Sequence, residues 1–210
     1  MPRRHAKDQD PDEVDEWLDE TYPAIEQRAA HEDGEVHWCD ETGAAADEHP
    51  RKGDARTGHP AWIQVPHPHI RMNLIATITN EGDVHFLTYE ETMTAALFIS
   101  FLEKLLRETT RKVFLIADRL KAHQAQEVED WVAAQGDRIE LSWLPNYAPE
   151  LNADEYLNND LKGSINAEGL PENKEELRSR MEQFMSRLLH LPKRVRDYFL
   201  HPSVQYAAGT

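Results

Sequence analysis

Three acids stand where a sequence can place chemistry. Asp40 closes the segment EVHWCD, Asp118 follows the apolar run VFLIA, and Glu155 falls in the first turn of a segment that begins near Asn152. In open α/β sheets ligands collect at the carboxyl ends of strands, so acids arriving there from separate elements are informative. Hard divalent cations such as Mg2+ take oxygen ligands and bind through a few carboxylates together with substrate phosphates. Two such ions about 3.5–4 Å apart can activate a water or hydroxyl and stabilise the leaving oxygen of a phosphodiester. Each acid also has an ordinary structural use. Asp40 with Glu41 can end a strand, Asp118 can cap the turn after one, and Asn152-x-x-Glu155 has the spacing of a capping box. Taken singly, none of the three decides between a cation site and local structure.

The elements that must carry these acids can be read from periodicity. Val14, Trp17, Leu18, Tyr22 and Ile25 fall near helical spacing; Pro11 suits a first turn, and Pro23 is expected to disturb the end. This reads as an amphipathic helix docking on the remainder, which divides the chain into an N-terminal arm, residues 1–30, and a domain, residues 31–210. EVHWCD reads as a short strand. Residues 43–69, rich in Gly, Pro and His, read as loop, with His59, His67 and His69 lacking any zinc spacing. Trp62 and Trp143 read as packing aromatics, with base stacking as the alternative for Trp62. IRMNLIATITN and VHFLTYE around Glu81-Gly82-Asp83 predict an antiparallel hairpin. A helix follows through Leu97, Phe98, Phe101, Leu102, Leu105 and Leu106. VFLIA is a continuous apolar run, as expected of a strand buried on both faces. Helix, strand RIELSWL, helix from Asn152 and helix through Leu177, Met181, Phe184, Met185, Leu188 and Leu189 complete a mixed α/β order.

The chain has 210 residues, 40% hydrophobic and 30% charged, a globular composition with no apolar stretch of membrane-spanning length. The N-terminus MPRRHAKDQDPDE has no apolar signal core, so a cytoplasmic location is expected. The single Cys39 excludes an intramolecular disulfide framework and any Cys-rich zinc site. Net charge is −16, which taken alone argues against gripping nucleic acid by phosphate neutralisation. The excess lies in the N-terminal and central regions; residues 161–210 are mildly basic. Arg178, Arg180, Arg187, Lys193, Arg194 and Arg196 make that stretch a candidate phosphate-facing surface or the solvated side of a helix. On the helix from Asn152, the residues Glu155, Asn158, Asn159 and Lys162 share one polar face, from which Lys162 and Asn159 could reach a bound phosphate.

EVHWCDETG, VFLIADRLKAH and LPNYAPELNADEYLNNDLK, in that order, resemble the three catalytic blocks of DDE transposases. They are most like the prokaryotic insertion-sequence branch of the mariner superfamily, the IS-six-thirty family. Leu144-Pro145, Tyr147-Ala148-Pro149, Leu151-Asn152-Ala153 and Glu155 follow the order of the third block, with Ala148 and Ala153 where the family usually has serine and proline. Thirty-six residues separate Asp118 from Glu155, a family-typical interval. The resemblance implies an RNase H-like, retroviral-integrase-like fold, a mixed sheet flanked by helices. It implies that Asp40, Asp118 and Glu155 hold two Mg2+ or Mn2+ ions for strand cleavage and strand transfer of an insertion sequence. His123 matches a histidine of the second block and is a candidate for positioning DNA or water. The implied partners are the element's inverted repeats, target DNA at TA, and a second copy in a homodimeric active complex. The location implied is the prokaryotic cytoplasm, at the nucleoid when active. Family members carry N-terminal helix-turn-helix modules, and nothing before residue 40 has room for two. A separate helix-turn-helix polypeptide, or a truncated chain acting as regulator, is therefore an alternative expectation, as is a structure-selective nuclease of the same fold. The charge then predicts weak DNA binding by this chain alone, with a high-salt host as one source of the acid excess.

Overall fold

The structure, a computed structural model, describes residues 9–45 and 70–209. The expectations for His59, Trp62, His67 and His69 lie outside the described residues. Five strands form one sheet: β1 (Glu35–Ala45), β2 (Arg71–Ile78), β3 (Val84–Tyr89), β4 (Val113–Ala117) and β5 (Ile139–Trp143). Their order is β3-β2-β1-β4-β5. The β1–β2 and β2–β3 ladders are antiparallel; β1–β4 and β4–β5 are parallel. The mixed sheet with its antiparallel hairpin first and parallel strands later is the one the periodicity predicts.

Alternation along the strands sends side chains to two cores. Trp38, Leu74, Phe114 and Ile116 join one, beneath α2 (Tyr22–His31), α5 (Asp154–Ala167), α6 (Lys174–Leu188) and α7 (Pro192–Tyr198). Cys39, Ile75, Val113, Leu115 and Ala117 join the other, against α3 (Ala95–Glu108) and α4 (Gln126–Ala134). All five residues of β4 are buried, which is why its sequence is apolar without alternation. Helix α3 starts at Thr94, whose hydroxyl accepts the Leu97 N–H.

Two local expectations differ from what is observed. Strand β1 continues past Asp40 to Ala45 because Gly43, Ala44 and Ala45 pair with Asn73, Met72 and Arg71; these small residues carry no strand pattern of their own. Asp40 is therefore a mid-strand residue. Pro23 does not end the first helix. After α1 (Pro11–Glu16) a π-helical turn, Trp17–Thr21, shifts the hydrogen bonding, so that Pro23 falls in the first turn of α2, where its missing N–H costs nothing.

Trp17 and Tyr206, far apart in the sequence, meet at the segment that enters α5. Trp17 Nε1 donates to the Tyr206 hydroxyl at 3.1 Å, and that hydroxyl donates to the Leu151 carbonyl at 2.7 Å. Tyr206→Phe removes both bonds and leaves a carbonyl of buried Leu151 without this donor. A loss of about 1–2 kcal/mol in urea denaturation is expected.

Candidate active site: an acid-lined cleft beside the central strands

The parallel register that pairs Trp38 with Ile116, continued by two residues, brings Asp118 level with Asp40. Both then point to the face covered by α5, whose first turn carries Glu155. Asp40, Asp118 and Glu155 line one cleft of about 420 Å³, together with Arg119, Leu120, Asn146, Tyr147 and Asn152. The acids thus come from the middle of β1, the end of β4 and the start of α5.

Local hydrogen bonds hold each acid's surroundings. Asn152 is no capping-box partner for Glu155. Its Nδ2 donates to the Cys39 carbonyl at 2.9 Å and its Oδ1 accepts the Asp154 N–H at 3.1 Å, which ties α5 to β1 and leaves Glu155 to line the cleft. Asp118 does cap its turn, accepting the Leu120 N–H at 3.1 Å, and faces the cleft as well. Asn158 Nδ2 donates to Asp40 Oδ2 at 2.9 Å.

His123 is 1% exposed, so it is not a surface for DNA. It sits between two carboxylates, with Nε2 2.6 Å from Glu41 Oε1 and Nδ1 3.0 Å from Asp118 Oδ1. Burial alone would lower its pKa, but the hydrogen bonds to Asp118 and Glu41 prevail and push it up to about 9. The same contact holds Asp118 below the usual carboxylate range, against the burial that would raise it. His123, buried between the two carboxylates, orients Asp118.

The other acids lean the opposite way. Burial, then the charges of Glu155 and Asp118, pushes Asp40 up to about 8. Burial raises Glu155, opposed by Lys162. Asp154 is fully buried with neither carboxylate oxygen hydrogen-bonded; burial and the charges of Asp40 and Glu155 drive it well above the usual range. An all-oxygen donor set in which the charges of Glu155 and Asp118 raise the proton affinity of Asp40 fits a divalent cation by its chemistry. Among the described residues no group of three or more His, Cys, Asp or Glu side chains is arranged to hold a metal ion as it stands.

Of the other sequence candidates, Lys162 acts electrostatically on Glu155, whereas Asn159 is exposed and its neighbour Asn158 takes the site contact. The basic C-terminal residues are not gathered at the cleft. Arg178 pairs with Glu90 at 2.8 Å, Arg180 with Glu176, Lys193 with Asp197 at 2.7 Å, and Arg194 with Asp160 at 2.7 Å. Arg196 donates to the carbonyl of Glu81 in the β2–β3 turn, toward the N-terminal end of β1. Sequence reasoning missed Glu41 and Asp154 and passed over Asn158, all of which act across the fold.

Asn158→Ala removes the amide that orients Asp40. It is expected to lower cation affinity or activity about ten- to hundredfold, as losses of such supporting groups do. Calorimetric titration with Mn2+ checks this, and unchanged affinity with unchanged activity contradicts it.

Residues 35–178 match the protein family described as DDE superfamily endonuclease. No curated protein matches the chain by sequence. Among solved structures it is similar to a Mos1 transposase paired-end complex with the left transposon end, at 16% identity and TM-score 0.63, covering 100% of this chain and 66% of that one. It is similar to the mariner Mos1 paired-end complex with Mg, at 14% identity and TM-score 0.62, covering 100% and 67%. The catalytic domain of Mos1 mariner transposase gives 14% identity and TM-score 0.58, covering 100% and 98%. The chain thus spans 66% of the length of the first of these transposase chains and nearly all of the isolated catalytic domain. At these identities the likeness establishes the fold: a mixed five-stranded sheet flanked by helices, the RNase H-like fold of that domain.

Proposed function

The chain belongs to the DDE superfamily endonucleases, and on that premise we propose that it is the catalytic domain of an insertion-sequence transposase of the mariner superfamily, of the IS-six-thirty branch. Asp40, Asp118 and Glu155 would hold two divalent cations, Mg2+ or Mn2+. The observation that carries this reading is the arrival of these three carboxylates, from three separate elements, in one cleft. Bound cations would supply Lewis-acid activation of the attacking oxygen and neutralise charge on the phosphodiester. The chain's own residues orient and tune. His123 and the Leu120 N–H fix the Asp118 carboxylate, Asn158 fixes Asp40, and Lys162 favours the charged form of Glu155.

The proposed reaction has two stages. Hydrolysis breaks a P–O3′ bond at the element's end and leaves a 3′-hydroxyl. That hydroxyl then attacks a phosphodiester of target DNA, at TA, and displaces the target's own 3′-oxygen. The partners proposed are the inverted repeats, the target duplex and a second copy of this chain, with a helix-turn-helix polypeptide supplying end recognition. Among the described residues no helix is long and apolar enough to cross a membrane. Incubation of the full chain with a supercoiled plasmid carrying the DNA that flanks its gene, in Mg2+ or Mn2+, should yield nicks. Pre-cleaved ends from the same DNA should yield joined products. Cutting without joining would indicate a structure-selective nuclease, and neither activity would indicate a regulator.

A further inference from the structure

Five large apolar side chains are exposed among the described residues, and two of them, Leu120 at 36% and Tyr147 at 63%, line the acidic cleft. They come from different loops, Leu120 from the one after β4 and Tyr147 from the one after β5. Tyr147 is also held at φ 55°, a backbone state that glycine and asparagine adopt readily and other residues adopt at a cost. Its surroundings enforce this. The Asn146 N–H donates to Glu13 of α1 at 3.0 Å, Pro145 and Pro149 stiffen the loop, and Leu144 and Ala148 are buried on either side. The ring itself makes no hydrogen bond or ring contact among the described residues. A strained, braced and unpartnered aromatic at the rim of a cleft is a feature whose use lies outside the fold.

Charge narrows what that use is. With a net charge of −16 the chain has little to gain from releasing phosphate counterions. Arg119 is the one cation among the described residues that line the cleft. Its Nε donates to the Leu144 carbonyl at 3.1 Å and its guanidinium lies 3.8 Å from Glu13. A neutral grip is then worth most, and every nucleobase presents a π-face to an aromatic ring. We propose that Tyr147 is a base-stacking platform, which holds an unpaired base beside the phosphodiester seated at Asp40, Asp118 and Glu155, with Leu120 adding apolar contact from the loop after β4. This rests on the nucleic-acid reading of the cleft.

The test uses the full chain and a single-stranded oligonucleotide containing 5-bromouracil, with Ca2+ in place of Mg2+ so that binding is read without cutting. Irradiation should crosslink the probe to Tyr147. Tyr147→Ala should weaken binding, followed by fluorescence anisotropy, roughly ten- to hundredfold, the usual weight of one stacked base. Tyr147→Phe and Tyr147→Trp should bind as the wild type does. Leu200→Ala, which alters an exposed leucine away from the cleft, should change nothing. Binding by Tyr147→Ala equal to wild type overturns the stacking role, as does a loss shared by Tyr147→Phe, which would make the hydroxyl the contact. A wild type that nicks plasmid while Tyr147→Ala binds normally defeats this inference alone. A wild type that neither nicks nor binds the probe defeats it together with the reading beneath it.

Discussion

Asp118→Ala protein should fold as the wild type does and lose metal-dependent nicking by about a thousandfold or more, since a bound cation is worth several kcal/mol to the transition state. The two halves of this result have separate physical grounds. The Asp118 side chain is 51% exposed, so truncation opens no cavity, and His123 keeps Glu41 at 2.6 Å as its counter-charge. What disappears is one of three carboxylates in the cleft. Asp118→Asn is the sharper companion, because the amide oxygen can still accept the Leu120 N–H while the charge is gone. It should be as inactive as the alanine variant and should melt closer to wild type. Equal nicking by wild type and either variant would remove Asp118 from the proposed cation site.

The second large effect is on stability. With chelator present, the thermal midpoint should fall as pH rises from about 5 to 8.5, and Mg2+ or Mn2+ should restore it most at the alkaline end. Asp40 titrates at about 8 in the folded chain against an ordinary 3.8, because burial and the charges of Glu155 and Asp118 oppose its ionisation. The folded state therefore binds that proton more tightly than the unfolded one. Stability drops with pH between those values, by up to about 1.4 kcal/mol per pH unit while the difference of one full proton lasts. Burial raises Glu155, and burial with the charges of Asp40 and Glu155 raises Asp154, so both add to the decline. His123, raised to about 9, contributes stability that is complete below its unfolded value and lost as pH climbs through 9. Asp118 is lowered, and its contribution is lost only in acid, below this range. Asp40→Asn should flatten the slope. A midpoint that rises from pH 5 to 8 in chelator, or that ignores added cation at pH 8, would contradict this account.

The fold was legible in the sequence where physics leaves a local trace. Alternation marked the β2–β3 hairpin, and a five-residue apolar run marked β4, because a strand buried on both faces has no polar side to show. The three acids of the cleft were visible through the blocks around them. What stayed hidden depends on neighbours far along the chain. Nothing near His123 announces Glu41, 82 residues away. The choice of Asn158 over Asn159 turns on one residue of helical rotation, which periodicity cannot resolve. The basic C-terminal stretch looked like a phosphate surface because Glu90, the partner of Arg178, lies 88 residues upstream. Ion pairs of this exposed kind add little stability, yet they cancel the local charge on which that reading relied.

The bond from Trp17 to Tyr206 spans 189 positions, and Tyr206 in turn holds the segment that enters α5. During synthesis that brace cannot form until Tyr206 has emerged, after all three acids have been translated. Contacts of such separation are also the slow ones in folding, since loop closure must be met before they contribute. A nascent or prematurely terminated chain carries every carboxylate of the cleft without the clasp that holds Glu155's helix entry in place. A cleft assembled in this order is braced only once Tyr206 is in place.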